Sequence, residues 1–315
     1  MTIKKIAFIF PGQGSQYVGM GKDFFAAYPI AKELFSQANA ILGYDMAKLC
    51  FEGPEEELRL TINTQPAIFL NSLVAHRILE QEGIRPQMVA GHSLGEYSAL
   101  AAANTIGFAE ALTLVRKRGQ LMQEAVPAGK GAMAAIMGLD TQAVEKACAK
   151  VSNKNNVVQI ANYNCPGQVV ISGEKEAVEE AMAYTKELGA KRNLPLPVSA
   201  PFHCPLMEPA EEGLLAELEK IPFKDPSFPI VANLKGEAVS TGIAAKEALK
   251  RQITSPVRWE ESMRYLLSQG IEAVVEVGPG QVLLGLLKRI DKGVIGLGVE
   301  GTASLQKTLQ ALKAR

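Results

Sequence analysis

Short apolar runs alternate along this chain with longer amphipathic segments. KKIAFIF (4–10) ends at Pro11-Gly12-Gln13-Gly14, the pattern of a buried strand running into a tight loop. Residues 63–83, NTQPAIFLNSLVAHRILEQEG, combine a cap candidate, a proline in the first turn and a closing glycine, and so predict a helix. QMVAGHS (87–93) predicts a strand, LGEYSALAAA the helix leaving it, and ALTLVRKRGQLMQEAV (111–126) a second helix.

From about residue 130 to 199 the rhythm changes. GAMAAIMG reads as a strand, TQAVEKACAKV as a helix, VVQIANY and QVVISGE as strands around Asn164-Cys165-Pro166-Gly167, EAVEEAMAYTKELG as a helix and RNLPLPV as a strand. That β-α-β-β-α-β order is the ferredoxin-like arrangement. It is bracketed by Pro127-Ala128-Gly129 and Ser199-Ala200-Pro201, so residues 129–199 are expected to form an inserted small subdomain. Beyond it follow helix 205–219, strand FPIVANL, helices 244–253 and 259–269, strand AVVEVG, helix 281–290, strand GVIGLG and a terminal helix. Such alternation predicts a mostly parallel sheet covered on both faces, an α/β core made of residues 1–128 and 200–315.

Composition narrows the class without naming a function. The 315 residues are 47% hydrophobic and 21% charged, with 33 basic and 33 acidic side chains, so no overall field points to nucleic acid or an anionic membrane. No apolar stretch approaches the roughly 18 residues of a transmembrane helix, and IAFIF is too short for a signal-peptide core. Cys50, Cys148, Cys165 and Cys204 lie far apart without a C-x-x-C pair, which suits a reducing cytoplasm better than a disulfide or zinc framework.

Candidate chemistry centres on Gly91-His92-Ser93-Leu94-Gly95, a G-x-S-x-G pattern between a predicted strand and helix. Such a turn lifts a serine oxygen above the sheet and sets free N–H groups beside it. Ser93-Leu94-Gly95-Glu96 is also a capping-box pattern, so Ser93 is either a nucleophile, a helix cap or both. A serine nucleophile needs a base, and the chain has three histidines. His76 sits within a helix, and His92 adjoins the serine on the opposite face of a strand and is counted only among the substrate-contacting candidates. His203, in the loop SAPFHCPLM, is left as the base. Asp140 is the only aspartate between Ser93 and His203, and it stands where a helix cap belongs, so no hydrolase triad is visible.

Arg118 has Leu114, Val115, Leu121 and Met122 three and four positions away. It thus projects from an apolar stripe and needs an anionic partner, either a structural glutamate or a substrate carboxylate. FPGQGSQ (10–16) fails the dinucleotide fingerprint because Tyr17 takes the third glycine position, but its loop can offer a backbone N–H to an oxyanion. A metal site on His92 and Glu96 lacks a third ligand.

FPGQGSQ, TQPA (64–67), GHSLGEYSAL (91–100), VRKRG, APFH (200–203) and QITSPVRW (252–259) occur in the order found in malonyl-CoA:acyl-carrier-protein transacylases, which the chain resembles along essentially its whole length. The resemblance implies a hydrolase-like core with a ferredoxin-like subdomain. It implies Ser93 as nucleophile, His203 as base, the backbone carbonyl of Gln252 as the group orienting that histidine, and the N–H groups of Gln13 and Leu94 as oxyanion hole. Arg118 would bind the malonyl carboxylate, and Phe202 would crowd an α-methyl branch. Ser255 departs from the asparagine common at that position. The implied reaction uses malonyl-CoA as substrate, no resident cofactor, and an acidic acyl carrier protein as partner, with Lys191, Arg192, Lys288 and Arg289 as docking candidates. It also favours a monomer, while charge balance, cysteine usage and the lack of a long apolar stretch predict a cytoplasmic protein that binds neither nucleic acid nor membrane. Two other readings stay open at this point: a serine esterase or thioesterase, and a non-catalytic acyl-CoA or carrier-protein binding module.

Overall fold

A computed structural model of the chain describes residues 3–127, 129–198 and 200–313. Its strands, in chain order, begin with β1 (Ile6–Phe10), β2 (Met88–Gly91), β3 (Gly131–Met137), β4 (Val158–Cys165) and β5 (Gln168–Glu174). They continue with β6 (Arg192–Pro195), β7 (Ile230–Ala232), β8 (Glu237–Val239), β9 (Ala273–Val277) and β10 (Ile295–Val299). Two sheets result, one ordered β10-β9-β1-β2-β7-β8 and one ordered β4-β5-β3-β6.

The larger sheet is parallel except at its β7–β8 edge. Its central strands read as continuous apolar runs because both faces are covered. Phe8 and Phe10 enter the core beneath helix Thr61–Gln81, while Ala7 and Ile9 enter the core beneath helices Trp259–Ser268 and Val282–Ile290. The smaller sheet is antiparallel, with helices Thr141–Val151 and Lys175–Glu187 completing the β-α-β-β-α-β order. The two expected junctions turn on Ala128 and Ser199, which lie outside the described residues.

Several expectations are corrected. The helix expected at 63–83 starts at Thr61 without a side-chain cap, and Pro66 lies inside it rather than in its first turn. The short strand β8 and the helices Lys22–Ala27, Pro29–Leu42, Met46–Glu52 and Glu55–Arg59 occupy stretches to which the periodicity assigns nothing. Their signals are end signals rather than long apolar stripes: Pro29 at a first turn, left-handed Gly43 at an end, and the Asp45 side chain capping Lys48 N. Asp140 is a cap as expected, accepting from Gln142 N. Among the described residues no helix is long and apolar enough to cross a membrane.

The β2-to-helix turn packs backbone on backbone. A Cβ on Gly91 would fall 1.9 Å from the Gly95 carbonyl, and one on Gly95 would fall 2.1 Å from Phe10 O on β1. Neither neighbour is the end of a flexible side chain, so the strand or the helix would have to move. Gly95→Ala is therefore expected to destabilise the protein by at least about 2 kcal/mol. Equilibrium urea unfolding checks this, and an unchanged midpoint would contradict the close approach.

Candidate active site

Ser93 follows β2 and precedes helix Gly95–Ala102. It holds a left-handed backbone (φ 52°), as does His203 (φ 59°). L-residues rarely tolerate that region, and where they do the strain concentrates at functional sites. Asn233, just after β7, pins the turn: Ser93 N donates to its Oδ1 (2.7 Å) and its Nδ2 donates to Gly91 O (2.6 Å). The capping-box reading is overturned. The helix has Leu94 at its N-cap with no side-chain cap bond, and Glu96 turns to other partners. The Ser93 hydroxyl points instead at His203, with Oγ to Nε2 at 2.7 Å.

His203 sits in the loop before a short turn of 3-10 helix, Pro205–Met207. Its Nδ1 lies 3.0 Å from Gln252 O and 3.1 Å from Ser255 O. Both partners are carbonyl oxygens, so Nδ1 carries the proton and Nε2 is free to accept from Ser93. Two backbone carbonyls thus stand where a triad would have a carboxylate. The Ser255 departure is without consequence for this contact, which uses only its backbone. Gln159 on β4 holds the loop from the other side, donating Nε2 to His203 O at 2.9 Å. Burial, reinforced by the Arg118 cation, pushes the His203 pKa down to about 3.

Arg118, on helix Phe108–Glu124, is 1% exposed. Its Nη1 donates to Gln65 Oε1 (2.8 Å), and its Nη2 donates to Gln252 Oε1 (3.0 Å) and Ser93 Oγ (3.1 Å). These partners are neutral, and among the described residues no carboxylate pairs with it directly. Glu96 is reached only through the Gln252 amide, whose Nε2 donates to Glu96 Oε2 at 2.7 Å. Burial raises the Glu96 pKa to about 7, against the hydrogen bonds from Gln252 and Asn233 and the nearby Arg118 charge. Sequence reasoning missed Gln65, Asn233, Glu96, Gln159 and the side chain of Gln252. Gln65 and Glu96 lay inside quoted motifs, whereas Asn233 and Gln159 carried no local signal.

A cavity of about 100 Å³ opens beside Ser93, lined by Gln13, Gln65, His92, Leu94, Arg118, Phe202 and His203 among others. All eight candidate site residues therefore gather here, Gln252 through its bonds to Arg118 and His203. Among the described residues the N–H groups of Gln13 and Leu94 donate to no backbone carbonyl in the turns around the cavity. His92 is fixed by a 3.0 Å bond between Nε2 and Asn164 Oδ1, away from any base role. A neighbouring cavity of about 310 Å³ shares Gln13, Leu196 and Val198 and runs out past Arg59 and Tyr17. Of the basic docking candidates, Arg192 and Gln168 both pair with Met137 on β3, Arg289 bonds Gln168, and Lys191 packs its stem against Gly138, so these three stand at one end of the smaller sheet. Lys288 lines a cavity of about 670 Å³ at the β10 edge.

The chain that carries this serine at a strand–helix elbow, with a histidine held by backbone carbonyls beside it, matches the model of the acyl transferase domain family over residues 7–297. The malonyl CoA-acyl carrier protein transacylase of Escherichia coli K12 is 53% identical over 287 residues, covering 91% of this chain and 93% of that protein. The transacylase of Bacillus subtilis 168 is 46% identical over 311 residues, covering 99% and 98%. This chain belongs to the malonyl CoA-acyl carrier protein transacylase family. Among solved structures, an acyl carrier protein S-malonyltransferase from Vibrio cholerae superposes with a TM-score of 0.94 at 49% identity, covering 97% of this chain and all of that one. A malonyl-transacylase solved in complex with a type II polyketide acyl-carrier protein gives 0.95 at 47% identity, covering 99% and 100%.

The histidine geometry makes a spectroscopic prediction. Imidazole 15N shifts are expected to show His203 as the neutral Nδ1–H tautomer from pH 8 down to about pH 4.5. Protonation near the ordinary histidine value of about 6.5 would contradict its burial beside Arg118.

Proposed function

We propose that this protein transfers the malonyl group of malonyl-CoA to the phosphopantetheine thiol of an acyl carrier protein through a malonyl-serine ester, supplying extender units for fatty-acid or polyketide synthesis. The observation that carries the reading is Ser93 Oγ set between His203 Nε2 at 2.7 Å and Arg118 Nη2 at 3.1 Å. The first contact supplies a base, and the second puts a carboxylate grip within one acyl group of the nucleophile.

In this reading Ser93 Oγ passes its proton to His203 Nε2 as it attacks the thioester carbonyl. The oxyanion takes hydrogen bonds from the Gln13 and Leu94 N–H groups, at the entrance of helix Gly95–Ala102. As the tetrahedral intermediate collapses, the carbon–sulfur bond breaks and His203 returns the proton to the departing coenzyme A thiolate. The pantetheine thiol then enters, gives its proton to His203 and attacks the ester, and Ser93 leaves with that proton. The neighbouring cavity past Gln13 and Val198 offers the route for the arm in both half-reactions.

Arg118 serves this cycle twice. Its guanidinium meets the malonyl carboxylate with two hydrogen bonds in a buried site, which an acetyl group cannot reproduce. Its positive charge also holds His203 a weak base while the site is empty. A bound carboxylate offsets that charge and strengthens the base when the reacting group arrives. Phe202, nearly buried on the cavity wall, leaves little room for a branch at the α-carbon. We assign residues 129–199 to a small subdomain and 1–128 with 200–315 to the catalytic core, and His92 lines the substrate cavity. No resident cofactor takes part, and we propose a cytoplasmic monomer as the working unit.

The reading is tested by intact mass after mixing with malonyl-CoA, then with carrier protein. A malonyl adduct absent in Ser93→Ala and passed to the carrier is expected, whereas rapid loss to water would make the protein a hydrolase and no adduct a binding module. Arg118→Ala is expected to slow malonyl loading by about 30-fold or more beyond any change in acetyl loading, which reads the general effect of its contacts with Ser93 and His203. Equal losses would give the arginine a structural role.

A further inference from the structure

We propose that Glu96 is a positioning residue for malonyl selection, acting on Arg118 through the side-chain amide of Gln252. The inference rests on Arg118 being the grip on the malonyl carboxylate.

Glu96 is buried, and its Oε2 accepts from Gln252 Nε2 (2.7 Å) and from Asn233 N (3.2 Å). Gln252 Nε2 donates as well to Ser93 O (2.9 Å), and its Oε1 accepts from Arg118 Nη2 (3.0 Å). The two ends of a primary amide are nearly equal in shape, so its partners decide which end is oxygen. Turned over, the Gln252 amide would set donor against donor at Arg118. It would also set acceptor against acceptor at Ser93 O and at Glu96. With Asn233 N and Gln252 Nε2 both donating to it, Glu96 Oε2 is an acceptor, and above the raised pKa of about 7 its full charge strengthens the bond. Glu96 thus keeps an oxygen, rather than an N–H, facing the guanidinium.

Arg118 depends on that oxygen. Its Nε has no partner among the described residues, and its two terminal nitrogens are aimed by the amide oxygens of Gln65 and Gln252. With the Gln252 oxygen gone, Nη2 keeps only its 3.1 Å contact with the Ser93 hydroxyl, which is itself engaged with His203. The guanidinium is then free to turn about the Gln65 contact, and the two-point grip on a carboxylate is weakened. Above its raised pKa of about 7, Glu96 also sets a carboxylate one amide away from this buried cation. Glu96 lines no part of the cavity beside Ser93. An acyl group without a distal carboxylate should therefore be indifferent to it, while a loss of packing at Glu96 would slow every acyl group alike.

The test compares rapid-quench loading of Ser93 by malonyl-CoA and by acetyl-CoA. Glu96→Gln is expected to lower the malonyl-to-acetyl ratio of kcat/KM about tenfold, through KM for malonyl-CoA. In an Arg118→Ala background the same change should move the ratio by less than about twofold, because the group it acts through is gone. Parallel losses for both substrates, an unchanged ratio, or an undiminished effect without Arg118 would each overturn the proposal. If Glu96→Gln does not yield folded protein, Glu96→Asp, which keeps the charge but withdraws it by one methylene, is read by the same ratio, with a malonyl-specific loss expected and an unchanged ratio overturning. Arg118→Ala alone separates the two levels. If it leaves the ratio unchanged, both readings fail; if it lowers the ratio and the Glu96 variants do not, only this inference fails.

Discussion

Taking the Arg118 guanidinium out of water is costly, and the neutral oxygens of Gln65, Gln252 and Ser93 return only part of that cost. Much of the site is arranged around this imbalance. Gln65 comes from helix Thr61–Gln81, Gln252 from the turn after helix Gly242–Lys250, and Ser93 from the elbow, so one cation ties three distant segments together. Its charge weakens His203 as a base, and it stands near a carboxyl group, Glu96, that burial pushes toward neutrality. A buried cation left short of an anion is a poor device for stability. It is a good one for recognising a substrate that brings its own carboxylate.

The pairing of Ser93 with His203 is secured by backbone rather than by acid. Both residues hold left-handed φ values, one where Gly91 and Gly95 bring strand and helix into contact, the other in a loop fastened by Gln159. The Gln252 and Ser255 carbonyls orient the imidazole without adding a negative charge. A carboxylate in their place would stabilise the imidazolium. In a site that must also hold Arg118 and accept an anionic acyl group, the neutral carbonyls leave the charge balance to the substrate.

The smaller sheet takes part in the chemistry as well as covering it. Asn162 and Gln159 on β4 reach the cavity and the His203 loop, and β4 joins the core through backbone bonds between Tyr163 N and Val257 O and between Val257 N and Ala161 O. Met133 on β3 and Leu196 and Val198 after β6 complete the cavity wall. The site is thus a seam between two sheets, which suits a reaction whose carrier thiol must enter and leave.

Much of this was legible in order along the chain. IAFIF declared a strand buried on both faces, and the β-α-β-β-α-β rhythm declared the second sheet. The candidates followed by different routes: Ser93 from the elbow spacing of GHSLG, His203 by elimination among three histidines, and Arg118 as a charge within an apolar stripe. Strand–helix elbows need glycines at two fixed offsets, and an arginine within an apolar stripe announces a buried charge. Local pattern was misleading where two local meanings coincided, as in Ser93 to Glu96, which spells a capping box and makes none. What the sequence could not decide was which distant polar groups would meet. Asn233 at the elbow, Gln159 behind His203 and the amide of Gln252 between Arg118 and Glu96 act across 140, 44 and 134 residues of chain. Those contacts exist because packing two sheets removes water from one seam, and every polar group enclosed there must find a partner wherever in the chain it lies.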